Sequence, residues 1–246
     1  HNNAKKNIPA ALVLLLLAVQ TNAAYAARWY NVEAIIFAYT SDTGLQEEFW
    51  PLDTGTPDVA NSVSLVSRQN ISDRLPGQIT EFETLPFNML AGSLRKLRNS
   101  SRYDVIYAQA WRLPGMRRQS APPVRIRAGK RFTPDGNIAP ASVTGAEGLL
   151  DDLLYEVDGR IKISLSKYLD VDADLLYRRR VTLPDQQGQL VNEFREFRLT
   201  EFRRMKSKTI HYLDHPLFGM LIAIDRYAPK QSYEEITPKS ISEINQ

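Results

Sequence analysis

Apolar and polar positions divide the chain into strand-like stretches and one helix-like stretch. Residues 29–39 (WYNVEAIIFAY) place Tyr30, Val32, Ala34 and Ile36 on one side and Ile35 and Phe37 on the other. Both sides of its second half are apolar, which predicts a strand buried on both faces. Glu33 reads as an edge or solvent-facing carboxylate early in that strand. Leu85, Met89, Leu90, Leu94 and Leu97 recur at helical spacing, with Pro86 in the first turn and Arg95, Lys96 and Arg98 in the last. A helix over 85–98 follows. Residues 103–113 (YDVIYAQAWRL) predict a second strand, broken by Pro114-Gly115. Val124, Ile126 and Ala128 alternate with Arg125 and Arg127, the pattern of an exposed edge strand whose cations oppose edge-to-edge pairing or meet an anionic partner.

Further on, Leu154 to Val157 precedes Asp158-Gly159, a two-residue turn signal, so a hairpin is expected there. Ile161, Ile163 and Leu165 then alternate with Lys162, Ser164 and Ser166. Val171, Ala173, Leu175 and Tyr177 alternate with Asp172, Asp174 and Arg178, and residues 193–206 read as another strand. Together they predict an antiparallel meander with one wet face. Residues 40–80 are weakly patterned, and Trp50 there covers a core edge or serves as a stacking platform. The architecture expected is α+β: one domain over 27–228, a mostly antiparallel sheet with the 85–98 helix packed on one face, and a polar tail over 229–246. A split into two subdomains around 115–150 is the alternative.

The N-terminus changes the picture of where the protein works. Lys5 and Lys6 precede an apolar run from Ile8 to Val19, and Ala24-Tyr25-Ala26 is an A-x-A cleavage signal. Residues 1–26 therefore read as a signal peptide, cut near Ala26/Ala27. The run is short for a membrane span, so no anchor is expected after cleavage. Lys and Arg number 31 against 28 acids. Two of those lysines lie in the leader and no acid does, so the mature chain is nearly neutral. That balance gives no footing for nucleic-acid binding. The sequence contains no cysteine, which removes disulfides, thiolate metal sites and a Cys nucleophile.

No G-x-S-x-G, P-loop, H-E-x-x-H or G-x-G-x-x-G motif occurs. His211 and His215 flank Asp214, but Pro216 argues against a helix that would put them on one face, so neither a metal nor a cofactor is expected. Asp170, Asp172 and Asp174 read as a wet strand face, and Asp151-Asp152 as a loop.

Residues 202–227 (FRRMKSKTIHYLDHPLFGMLIAIDRY) read as a charged strand, a tight corner and a buried strand. Pro216 sets the corner, and the apolar run 217–224 follows it. The piece RRMKS…HYLDHPLFGMLIAI resembles the C-terminal signature of the CsiV family. WYNVEAIIFA, the stretch from Ser101 to Pro114, and the stretch from Gly159 to Leu175 are similar to further segments of that family. The resemblance implies a periplasmic, non-enzymatic protein that binds peptidoglycan and supports its synthesis and cell shape at the division site. It implies cooperation with a lipoprotein activator of a bifunctional penicillin-binding protein. It carries no active-site motif. From the residues themselves, Arg203, Arg204 and Lys206 are candidates to meet carboxylates of peptide stems or an acidic protein patch, with Tyr212, or Trp111 if exposed, against a sugar face and Arg112 as a further binding candidate. His211, Asp214, His215, Pro216 and Gly219 read as corner-makers. The alternative to an adaptor is a wall-modifying hydrolase.

Overall fold

A computed structural model describes residues 28–46, 51, 53–67, 81–140, 153–184 and 187–228. The leader, the cleavage signal, Trp50, Asp151-Asp152 and the tail lie outside the described residues. Among the described residues the chain forms nine strands and one α-helix: β1 (Trp29–Tyr39), β2 (Thr84–Leu85), α1 (Ala91–Arg98), β3 (Tyr103–Pro114), β4 (Val124–Phe132), β5 (Leu154–Leu165), β6 (Leu169–Pro184), β7 (Leu190–Met205), β8 (Ile210–His215) and β9 (Phe218–Tyr227). They make two antiparallel sheets. The first has five strands in the order β2-β3-β1-β9-β8, and the second four in the order β4-β5-β6-β7. No described helix is long and apolar enough to cross a membrane.

The α+β expectation is therefore corrected to a β-rich fold of two packed sheets. The error has a physical source. Alternating apolar positions fix which face of each strand is buried, but not whether that face meets a helix or another sheet. Here Val32, Trp111, Met220 and Ile224 of the first sheet share one core with Val157, Ile161, Val171, Leu175 and Phe197 of the second. A smaller cluster on the outer side of the first sheet joins Ile35, Phe37 and Ala223 to Leu90 and Leu97 of the helical segment. β1 is thus buried on both faces, as its composition predicts.

The helix is shorter than its apolar spacing suggests. Thr84 and Leu85 pair with Trp111 and Ala110 as strand β2, so the helix starts only at Ala91. Its N-terminus has no side-chain cap of its own. Glu33 of β1 takes that role: Oε1 accepts the N–H groups of Asn88 (3.0 Å) and Met89 (2.9 Å), and Oε2 that of Leu90 (2.7 Å). The carboxylate is buried, not solvent-facing, and meets the positive end of the helix.

The Asp158-Gly159 turn is also corrected. Both residues lie inside the continuous strand β5, and the hairpin closes instead between Leu165 and Leu169. Asp158 is held by Arg125 and Arg178 on the outer face. Gly159 is required because a Cβ there would stand 2.1 Å from the Asp174 carbonyl oxygen of β6. The meander itself is as predicted, with β4 at its edge. Its outer face is only partly wet. Asp174 is buried there where the start of segment 53–67 straps the face through Arg198, and Arg178 is buried among Asp158, Glu196 and the Tyr155 carbonyl. Arg198 fixes the strap by donating to Asp174 (2.8 and 2.9 Å) and to the carbonyls of Thr54 (2.9 Å) and Thr56 (3.3 Å).

The chain leaves the second sheet at Met205 and returns to the first as the β8–β9 hairpin, whose two-residue loop is Pro216-Leu217. His215 is buried beside Phe218 (centroids 4.7 Å apart), and its Nδ1 accepts the Leu217 N–H at 3.2 Å. Burial pushes its pKa down from 6.5 to about 4.

Two outcomes follow. Replacing Glu33 by Gln weakens charge-assisted capping, so the melting temperature falls by roughly 4–8 °C for a loss of about 2 kcal/mol, and Glu33→Ala falls further; an unchanged midpoint in thermal unfolding contradicts this role. His215 binds its proton more readily when unfolded, so stability present above pH 6.5 declines as pH falls toward 4. His215→Asn retains an acceptor but does not titrate, and its midpoint is flatter than wild type across that window. Parallel pH profiles would mean that His215 does not contribute to the slope.

Candidate functional site

The outer face of the meander holds the candidate site, at the end nearest the β5–β6 turn. Register decides its contents. Leu199 and Met205 of β7 lie in the core between the sheets, so the residues in odd positions from 199 to 205 point inward and Phe202 and Arg204 point out. Across the sheet, Phe202 faces Asp172, which faces Lys162; Arg204 faces Asp170, which faces Ser164. The Met116–Ala121 connection brings Arg118 over this face. Arg118 stands 4.5 Å above the Phe202 ring, and Arg204 stands 4.0 Å above the ring of Tyr168 in the β5–β6 turn. Phe202 remains 52% exposed and Tyr168 41% exposed. Two rings are thus presented to solvent, each with a guanidinium against one side.

Beside them lies a polar groove of about 530 Å³. Its lining includes Arg118, Arg160, Lys162, Asp172, Asp58 and Asn61. The size falls within the range of small-ligand sites, about 300–1,000 Å³. Asp172 accepts from Arg118 at 3.4 Å and pairs with Arg160 at 3.5 Å, both long contacts. Lys162 makes no ion pair among the described residues. One buried oxygen of Asp170, Oδ1, has no hydrogen-bond partner among them either. The arrangement offers loosely held cations beside exposed rings, which suits a ligand with sugar faces and carboxylates.

The residues singled out in the sequence do not gather in one place. Arg204 belongs to this surface. Arg203 points to the opposite side of β7, where it donates to the Tyr212 carbonyl (2.6 Å) and pairs with Glu201 (2.6 Å), tying the two sheets together. Lys206 is exposed, and its N–H donates to His211 Nε2 at 3.1 Å. Burial and the Arg203 charge hold the His211 pKa below its ordinary value. Tyr212 stacks on Phe37 on the helix side of the first sheet, with its hydroxyl on Asp214 and on Tyr39 (2.5 Å). Gly219 leaves room for the Tyr212 ring against the backbone. Trp111 is 0% exposed, so it is a core residue and offers no ring to a ligand. Arg112 donates to Asn31 Oδ1 (2.9 Å) and lies 3.5 Å over Tyr227 at the far end of β3.

His211 and His215 are four residues apart on an extended strand, a spacing of about 13 Å, too long to share one ion. Among the described residues no three His, Cys, Asp or Glu side chains are grouped to hold a metal. Tyr168, Phe202 and Arg118 were missed as site residues. Phe202 had no clean signal: both parities of its strand mix apolar residues with charges, Glu201 and Arg203 sharing a side with Leu199 and Met205.

The family model for CsiV, described as a peptidoglycan-binding protein, matches residues 9–227. No curated protein and no solved structure matches the chain. The family match spans every described strand and the helix, and the chain belongs to the CsiV family of peptidoglycan-binding proteins.

Proposed function

We propose that this protein holds peptidoglycan on the outer face of its meander, as a non-enzymatic factor of the periplasm. The observation that carries the reading is the exposed pair Phe202 and Tyr168, each backed by an arginine, at the mouth of a cationic groove in a member of a peptidoglycan-binding family. Glycan rings stack on the exposed aromatic edges and faces. Carboxylates of the peptide stems meet Arg118, Arg160 and Lys162, with Arg204 at the rim. The leader-like N-terminus, Lys5 and Lys6 before the apolar run to Val19 and then Ala24-Tyr25-Ala26, supports a periplasmic location. Its part in synthesis and cell shape is that of an adaptor, which keeps wall strands near a lipoprotein activator of a bifunctional penicillin-binding protein; the resemblance of residues 202–227 to the family signature supports that role.

Retention of the purified protein on isolated sacculi tests the reading. Wild type is retained saturably, and retention weakens as salt screens the groove. Replacing Phe202 and Tyr168 by Ala, or Arg118 and Arg204 by Glu, lowers affinity about tenfold or more with little change in melting temperature, since all four side chains are on the surface. Full retention of both double variants puts the ligand elsewhere. Soluble muropeptides released during incubation favour the hydrolase reading over the adaptor.

A further inference from the structure

A second opening lies at the end of the meander away from the β5–β6 turn, at the mouth between the two sheets. It is a cavity of about 360 Å³ whose walls come from both sheets. Ala38, Tyr39, Thr40 and Asp104 line it from the first sheet and its loops. Lys130, Glu156, Tyr177, Arg179 and Arg180 line it from the second. The chain goes to some length to place a carboxylate here. At Gly129, where φ is +80°, β4 bulges against β5, and the register shifts between Ala128 and Arg131. The bulge turns the Lys130 N–H onto Glu156 Oε2 at 2.8 Å and leaves the Lys130 ammonium 3.6 Å from Oε1. The Glu156 side chain is only 7% exposed. Tyr177 is pressed beside it, and its burial, with the charges of Glu156 and Asp104, raises its pKa to about 12, so it stays a neutral phenol.

The charges around this cavity are not all matched. Asp104 forms no ion pair or hydrogen bond among the described residues. Arg180 donates to the Gly136 carbonyl (3.1 Å) and to Asn137 Oδ1 (2.8 Å), both uncharged acceptors. Asp135, whose pKa is lowered chiefly by Thr133 and to a lesser extent by Arg180, spends its oxygens on Thr133 Oγ1 and Asn137 Nδ2. Arg179 pairs with Asp42, which is largely exposed. Among the described residues, an anion with no ion pair on one wall and a cation bonded only to uncharged acceptors on the other suit a ligand that carries both charges.

We infer that the mouth between the sheets is a second binding site, one that takes a free amino acid or a short peptide with both termini free. The ammonium faces Asp104, with Glu156 behind it. The carboxylate faces Arg180 and Arg179, with Lys130 at the rim. Ile138 and Phe132 supply the apolar side of the cavity for a small side chain. The site shares no lining residue with the groove described above. If wall peptide is the natural source, one chain would hold glycan in its groove and, between its sheets, a stem segment that carries both a free amine and a carboxylate.

Calorimetric titration of the full chain with the dipeptide alanyl-alanine tests this, in both stereochemical series. Saturable binding is expected for the free dipeptide. The N-acetylated and C-amidated forms should each bind about tenfold more weakly, as should free dipeptide to Asp104→Asn and to Arg180→Gln. Both residues are exposed, so these variants keep the fold where Glu156→Gln would disturb it. The Phe202→Ala/Tyr168→Ala double variant should bind the dipeptide as wild type does, even where it has lost the sacculus. No binding of the free dipeptide in either series, or equal binding of the blocked forms, overturns the inference. A loss of sacculus binding with dipeptide binding intact, or the reverse, shows which of the two sites has failed.

Discussion

The burial of one face of the meander against the five-stranded sheet governs the rest of the molecule. Phe197, Leu199 and Met205 of β7 fill the core with Val171 and Leu175 of β6. Because side chains alternate, this burial dictates what the outer face displays. A slip of one residue would drive Arg198 and Arg204 into the core at a desolvation cost of several kcal/mol or more for each charge. Phe202 is therefore exposed by a register that the core enforces. With Tyr168 it gives that face two exposed rings, each against a guanidinium, beside the groove.

The same face shows how a polar sheet surface can be divided. Toward one end, the Arg198–Asp174 pair and its contacts with Thr54 and Thr56 hold the 53–67 strap down, Arg125 pairs closely with Asp158, and Arg178 with Glu196 at 2.5 Å. Charges there are satisfied by the chain itself. Toward the β5–β6 turn the contacts loosen to 3.4 and 3.5 Å, and aromatic area opens. Loosely paired cations give up little when a ligand carboxylate replaces water, which favours recognition at that end. The mouth between the sheets follows the opposite rule, with a buried carboxylate fixed by a bulge.

Much of the strand content was legible because it rests on local pattern. β1 and β9 read as strands buried twice because both parities are apolar, and β1 is buried so by the core on one side and the helix cluster on the other. The meander followed from alternation. What failed was long-range. Glu33 looked like a misplaced charge because its partners, the N–H groups of residues 88 to 90, are more than fifty positions away. Asp158-Gly159 carried a turn signature, yet the glycine serves a close approach by β6 and the aspartate two arginines. The second sheet was invisible for the same reason, since a strand's buried face does not announce what covers it. At the candidate site, Arg204 was legible as a cation and Arg203 was wrongly joined to it. Strand parity separates them, and Trp111 belongs to the core.

Hydrogen–deuterium exchange of the full chain with and without soluble muropeptide fragments tests the central claim most directly. The account predicts slowed exchange in the β5–β6 turn around Tyr168, along β7 near Phe202, and in the 117–123 connection. Slowed exchange confined to the β8–β9 hairpin around Tyr212 and Asp214, with the outer face of the meander unaffected, would contradict it.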